Sequence, residues 1–331
     1  MQIGLLTDSL STLTRAEALD TAAELGIETV EIGLGGLHGG WSPAPHADLI
    51  ELLNDSAARA TLRRDITSRG LRLEAFNAAG NPLHPVTGDR DDQVLRGALQ
   101  LAEEFEINTV VTMSGLPAAP GDRFPAWITT VWPPENLQLL EHQWSVAFDY
   151  WGELAAQAQR HGVRLAIEMH ANQLIYNVPS LLRLREAVGE TVGANFDPSH
   201  LLWMGADPIA AIAALDGAIH HVHAKDTRIE KRVAVTSRLE TIPNEQVHQR
   251  AWNYVAVGAG HPDGVAFWTQ FVEALHAAGY DGALSIENED YVLGQRESVS
   301  LAVQTLRSAW PGRGDSTAVS FRPRADGTAD R

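Results

Sequence analysis

Strand-like and helix-like segments alternate from one end of this chain to the other, and that alternation limits the fold more than any other feature. It is the pattern of an α/β protein with a parallel sheet. The spacing predicts strands at Ile3–Leu6, Thr29–Ile32, Leu71–Phe76 and Thr109–Met113, then runs ending at Glu168 and Asp197, then Ile219–Ala224 and Ala283–Glu287. The helices that follow them are expected at Arg15–Leu25, Leu49–Arg69, Asp91–Glu104, Leu137–Arg160, Ser180–Val188, Asp207–Leu215, Val265–Ala278 and Glu297–Ala309. Ala18, Ala22 and Leu25 share one helical face, and Asp207-Pro208 reads as an N-cap followed by proline at N1. Eight strand–helix units are the count of a closed barrel. The expected fold class is therefore α/β, a single (β/α)8 TIM barrel over residues 1–310 with extended βα loops, followed by a disordered, flexible C-terminal tail over residues 311–331.

The tail is expected because the sequence after Trp310, PGRGDSTAVSFRPRADGTADR, loses apolar periodicity. Its Arg313-Gly314-Asp315 triplet reads as chance. Two loops exceed what a minimal barrel needs. Ser114–Asn136 is proline-rich and aromatic and reads as a fixed wall, and Thr227–Pro262 reads as a substrate-covering loop. Composition narrows the function classes. A net charge of −17, from 25 basic and 42 acidic side chains spread along the chain, argues against nucleic acid and anionic membrane as partners. The absence of cysteine excludes disulfides and thiolate chemistry. Met1 leads directly into an apolar strand-like run with no cationic leader and no long apolar stretch, so a cytoplasmic protein is expected.

Four of the strand-like runs, VRLAIE, VGANFD, AIHHVH and GALSIE, close on a metal-binding side chain: Glu168, Asp197, His223 and Glu287. In a parallel barrel those strand ends converge on one mouth. Asp197 follows Glu168 by 29 residues and His223 follows Asp197 by 26, each room for one helix and two loops. Any one such carboxylate reads equally well as a helix cap or an ion-pair partner; four in equivalent positions read as a site for one divalent ion. Three carboxylates and an imidazole form a hard donor set, so Mn²⁺ is favoured, with Mg²⁺, Co²⁺ and then Zn²⁺ behind it.

Further candidates surround this set. Lys225, one of only two lysines in the chain, either meets substrate or forms a structural ion pair with Asp226 or an acid at the mouth. His170 is a candidate to line the site, and Asn77, with Asn81 and His84, falls near the mouth. His221 is expected on the opposite face of its strand from His223, packed behind the barrel. Trp41, Trp127, Trp132, Trp203 and Trp252 fall in segments read as loops, and Trp127, Trp132 and Trp252 are candidate anchors for a substrate larger than a monosaccharide or for another subunit. A GAGHP turn without a basic clamp argues for a non-phosphorylated substrate.

The segments AIEMH (166–170), NFDPSHLLWMGADP (195–208), HVHAKDTR (221–228) and SIENED (285–290) resemble the motifs of the xylose-isomerase-like barrels of the sugar phosphate isomerase/epimerase superfamily, over roughly Met1 to Trp310. That resemblance implies Glu168, Asp197, His223 and Glu287 as metal ligands and Glu168 and Glu287 as the acid/base pair. It further implies that His200, counted with the catalytic groups, and Arg228 hold substrate oxygens. The implied chemistry is removal of a proton α to a carbonyl of a sugar, keto-sugar or inositol derivative, with isomerisation or epimerisation as the outcome. GNPLHP, WPPE and HAKDTR also resemble the large subunits of bacterial C-glycoside deglycosidases, which implies a lyase acting on 3-keto-glycosides with a small partner subunit. An oligomer is expected in either case. Two other classes compete: a DNA-repair endonuclease barrel, which the acidic charge opposes, and a non-catalytic barrel scaffold subunit.

Overall fold

The computed structural model describes residues 1–35 and 44–310. Ten strands are present among them: β1 (Gln2–Leu6), β2 (Thr29–Gly33), β3 (Arg72–Ala78), β4 (Thr109–Met113), β5 (Arg164–Glu168), β6 (Val192–Phe196), β7 (Ile219–Ala224), β8 (Asp226–Ile229), β9 (Trp252–Val255) and β10 (Ala283–Ile286). Eight close into a barrel in the order β1-β10-β7-β6-β5-β4-β3-β2, with every pairing parallel. The helices are α1 (Arg15–Glu24), α2 (Leu49–Asn54), α3 (Ser56–Thr67), α4 (Gly88–Phe105), α5 (Glu135–Arg160), α6 (Val178–Val188), α7 (Pro198–Met204), α8 (Pro208–Leu215), α9 (Lys231–Ala234), α10 (Val265–Ala277) and α11 (Gln295–Ala309).

Local chemistry accounts for the starts. Thr14 and Glu17 form a capping box at α1, and Asp207 caps α8 ahead of Pro208 as the sequence predicts. The single helix expected over 49–69 is two helices. Asp55 adopts an extended conformation (φ −122°, ψ 110°) and its side chain accepts from Ala57 N, so it ends α2 and caps α3. The tail with its Arg313-Gly314-Asp315 triplet, and Trp41, lie outside the described residues.

Burial follows the two faces of the strands. Outward residues such as Val30, Ile32, Phe76, Val110, Leu165, Ile167 and Val222 are buried against the helices in one continuous apolar cluster. Inside the barrel the packing is small: Ala75, Val111 and Ala166 form a separate floor. Because side chains alternate across a strand, the next inward position on β3 is Asn77 and on β5 is Glu168. An apolar floor thus carries a polar layer at the C-terminal end. Among the described residues no helix is long and apolar enough to cross a membrane.

The excess between β7 and β10 is not an open loop. β8 and β9 pair antiparallel, Asp226 opposite Val255 and Ile229 opposite Trp252, and form a hairpin over the mouth.

Candidate metal centre

Glu168 ends β5 and His223 lies in β7, while Asp197 and Glu287 stand one residue past β6 and β10; these are four successive staves of the barrel. One ligand atom from each lies within 4.8 Å of the others. Asp197 divides its carboxylate between two tasks. Oδ1 accepts from Ser199 N at 2.8 Å and caps α7, whose second residue has Pro198 before it at N1. Oδ2 is fully buried and turns into the cluster, 3.2 Å from His200 Nε2 and 3.3 Å from Lys225 Nζ, but along no hydrogen-bond direction. His223 Nε2 is 3.1 Å from both Glu31 oxygens, while Nδ1 faces Glu287 Oε2 at 3.0 Å. Two acceptors so placed need a proton or a cation between them. An aimed, unbonded carboxylate oxygen, two further carboxylates and an imidazole nitrogen make a donor set that fits one divalent cation.

The charges are unequal by construction. Burial and the Glu287 charge push the Glu168 carboxyl up. Burial also acts to raise Glu287, but Lys225 and His223 beside it outweigh that and hold it at about 2. Lys225 is buried, with Nζ 3.0 Å from Glu287 Oε2, 2.9 Å from Glu289 Oε1 and 4.7 Å from the Tyr254 ring centre. Its partners are thus acids of the mouth and not Asp226, whose carboxylate turns away to accept from the backbone at Gly258, Gly260 and His261.

His200, on α7, donates or accepts at Nε2 against Glu168 Oε1 at 3.0 Å, and its ring stacks obliquely on His170 with centres 4.1 Å apart. Burial holds His170 neutral, its pKa pushed down to about 3. Asn77 donates to Glu31 Oε1 at 2.8 Å, on a strand across the barrel from the cluster. Asn81 is a loop fastener, accepting from Leu116 N at 2.8 Å, and His84 Nδ1 accepts from Val86 N and Thr87 N. Arg228 stands on β8 with Nε 2.7 Å from Glu230 Oε1, at the edge of a side cavity that it shares with Arg232, His248 and Val292.

The tryptophans separate by environment. Trp252 is in β9, stacked on Trp203 of α7 with centres 4.6 Å apart and planes 4° apart, and Arg250 covers its ring. That packing joins hairpin to helix and leaves Trp252 no face for a ligand. Trp127 meets Tyr176 edge-on at 5.3 Å and keeps a buried Nε1 without a partner. Trp132 is 75% exposed, beside the exposed Val131 and near Phe124 in the chain.

Four features lie outside the expectations. His221 is not behind the barrel: residues two apart on a strand share a face, so His221 and His223 both point inward and both meet Glu31. His220 is the outward residue, bonded to Glu190 O. Glu31, a buried acid in the middle of the apolar run TVEIG, is the signal that was there to find. Asp8, just past β1, is pushed up to about 7 by burial and by Glu31 and Glu287. Tyr254 reaches His200 from the hairpin, its hydroxyl 2.9 Å from Nδ1.

Comparison with known proteins agrees with this architecture. The profile of the family described as xylose isomerase-like TIM barrel matches residues 19–309. The uncharacterized protein YfiH of Bacillus subtilis is 44% identical over 314 residues, covering 93% of this chain and 98% of YfiH. An inosose dehydratase of Geobacillus thermodenitrificans is 31% identical over 150 residues, 45% of this chain and 48% of its own. Among solved structures, the IolI protein with a bound zinc atom superposes with a TM-score of 0.64 at 18% identity, over 93% of this chain and 98% of that one.

Proposed function

The chain belongs to the xylose isomerase-like TIM-barrel family, and from that premise we propose that it is a divalent-metal-dependent enzyme that removes the proton next to a carbonyl of a non-phosphorylated sugar, keto-sugar or inositol derivative. Isomerisation or epimerisation is the outcome. The observation that carries this reading is the cluster itself: three carboxylates and an imidazole at the ends of successive strands, with Glu168 and Glu287 at its two ends. A divalent ion bound there supplies Lewis-acid polarisation of the carbonyl, which makes the adjacent C–H acidic. Glu287, held ionised by Lys225 and His223, is the group suited to take that proton. Glu168, its carboxyl pushed up by burial and by Glu287, is suited to return one from the other side. His200, hydrogen-bonded to Glu168, stands where it holds a substrate oxygen.

A second reading is elimination: after the same proton is lost, a β-oxygen leaves with a proton supplied by the protein. The match to an inosose dehydratase favours it. The cleavage of a 3-keto-glycoside with a partner subunit is its extended form, and it draws on the same two carboxylates.

The test is proton exchange. Metal-loaded protein (Mn²⁺ or Zn²⁺) is incubated in D₂O with ketohexoses, inososes and 3-keto-glucosides, and deuterium at the α carbon is followed by NMR. Wild type is expected to exchange at least one class. Glu168→Gln and Glu287→Gln are expected to lose roughly 10²–10⁴-fold or more, with metal content measured alongside. Turnover that leaves the α C–H bond intact would refute the proposal, and the product ratio separates isomer from elimination.

A further inference from the structure

The hairpin between β7 and β10 does more than cover the mouth. It is fastened to α7 at three points: Thr227 Oγ1 donates to Ser199 O at 2.9 Å, Trp252 stacks on Trp203, and the Tyr254 hydroxyl lies 2.9 Å from His200 Nδ1. Thr227 and Tyr254 are directly opposite in the hairpin register, so two of these contacts come from one rung. The third lies two rungs further, where Ile229 faces Trp252. All three sit on the same face of the ribbon, as the period of two requires.

We propose that Tyr254 is a positioning residue for His200, its hydroxyl fixing the imidazole so that Nε2 stays aimed at Glu168 and the space between the carboxylates. The assignment deepens the function proposed above and rests on it for the catalytic consequence. α7 has only seven residues and carries His200 one turn after Asp197. Without a partner at Nδ1 the ring is held only through Nε2 at Glu168 and by its stacking on His170. A phenol suits this place. It both donates and accepts, so it holds Nδ1 whichever ring nitrogen carries the proton. A carboxylate there would only accept. Burial keeps the Tyr254 phenol well above its ordinary ionisation, so it remains an –OH, and Lys225 over the ring fixes its plane.

Tyr254→Phe removes one oxygen and keeps the ring, and Thr227→Val cuts the neighbouring fastening without touching the imidazole. The first readout is the His200 imidazole ¹⁵N spectrum, assigned by its loss in His200→Asn, which reports the tautomer and needs no turnover. Tyr254→Phe is expected to shift or split the His200 signals while Thr227→Val leaves them in place. The second is α-proton exchange: Tyr254→Phe is expected to lower kcat about tenfold, the worth of one ordinary hydrogen bond, with KM within about twofold. Unchanged His200 signals in Tyr254→Phe, or equal changes in Thr227→Val, overturn the positioning role. If wild type exchanges no substrate, the proposed activity fails alone, because the ¹⁵N spectrum still decides the contact.

Discussion

Glu31 has no solvent and four donors around it: His221 Nε2 and Ser285 Oγ at 2.8 Å from Oε2, Asn77 Nδ2 at 2.8 Å from Oε1, and His223 Nε2 at 3.1 Å from both. Burial alone would raise such an acid, but the two histidines outweigh it and hold the carboxyl well below its ordinary value. Its consequence lies one residue away. By accepting from His223 Nε2–H, Glu31 leaves the Nδ1 lone pair for a cation, and carboxylate partners of this kind orient a ligating imidazole and raise its basicity. Glu31→Gln is therefore expected to weaken Mn²⁺ or Zn²⁺ binding roughly 10–100-fold, measured by calorimetry on folded protein. Affinity equal to wild type would show that His223 needs no such partner. The sequence made the four candidate ligands legible because each closes an apolar run, where a charge stands out. Glu31 interrupts a run instead of ending it, and His221 stands two residues from His223, so it shares the inward face and not the opposite one.

At the scale of elements, the eight barrel strands and most of their helices were legible because apolar periodicity is a local signal. α7 was not: PSHLLWM is seven residues, too short for a clear period, and its start depends on the cap that Asp197 supplies. The hairpin was not either, since β8 and β9 are separated by 22 residues and DTRI carries no apolar alternation. What holds the hairpin is equally non-local. Asp226 accepts from the backbone at Thr227, Gly258, Gly260 and His261 and from Trp268 Nε1, all between 2.8 and 3.2 Å. A Cβ at Gly260 would meet Asp226 Oδ1 at 2.3 Å, which is why only glycine lets the backbone approach. Asp226→Asn turns an NH₂ group toward these N–H donors, and a buried charged acceptor is worth about 3 kcal/mol. Thermal unfolding should fall accordingly, and hydrogen exchange should speed up across 252–261 first. Loss of stability without faster exchange there would mean that Asp226 supports the barrel and not the hairpin.

For the whole molecule, one histidine makes stability depend on pH through a route separate from the candidate metal centre. His220 faces outward on β7 into the layer between strands and helices, 8% exposed, with Nε2 3.0 Å from Glu190 O. Gly193 leaves it room, since a Cβ there would lie 2.4 Å from His220 Cδ2. Burial pushes its pKa down to about 4 against the pull of the Glu190 carbonyl. In the unfolded chain the same imidazole titrates near its ordinary value of about 6.5. Between those values the unfolded state binds more protons than the folded one, so stability contributed by the neutral ring is present above about pH 6.5 and drains away as pH falls toward about 4. The interval corresponds to a loss on the order of 3 kcal/mol. Urea unfolding of apoprotein at pH 7.5 and 4.5 should show wild type losing more stability than His220→Gln, which cannot take up a proton. The carboxylates of the mouth titrate alike in both proteins and cancel in the difference. Parallel losses in the two would mean that the ring already reaches water in the folded barrel, and that this layer is not sealed.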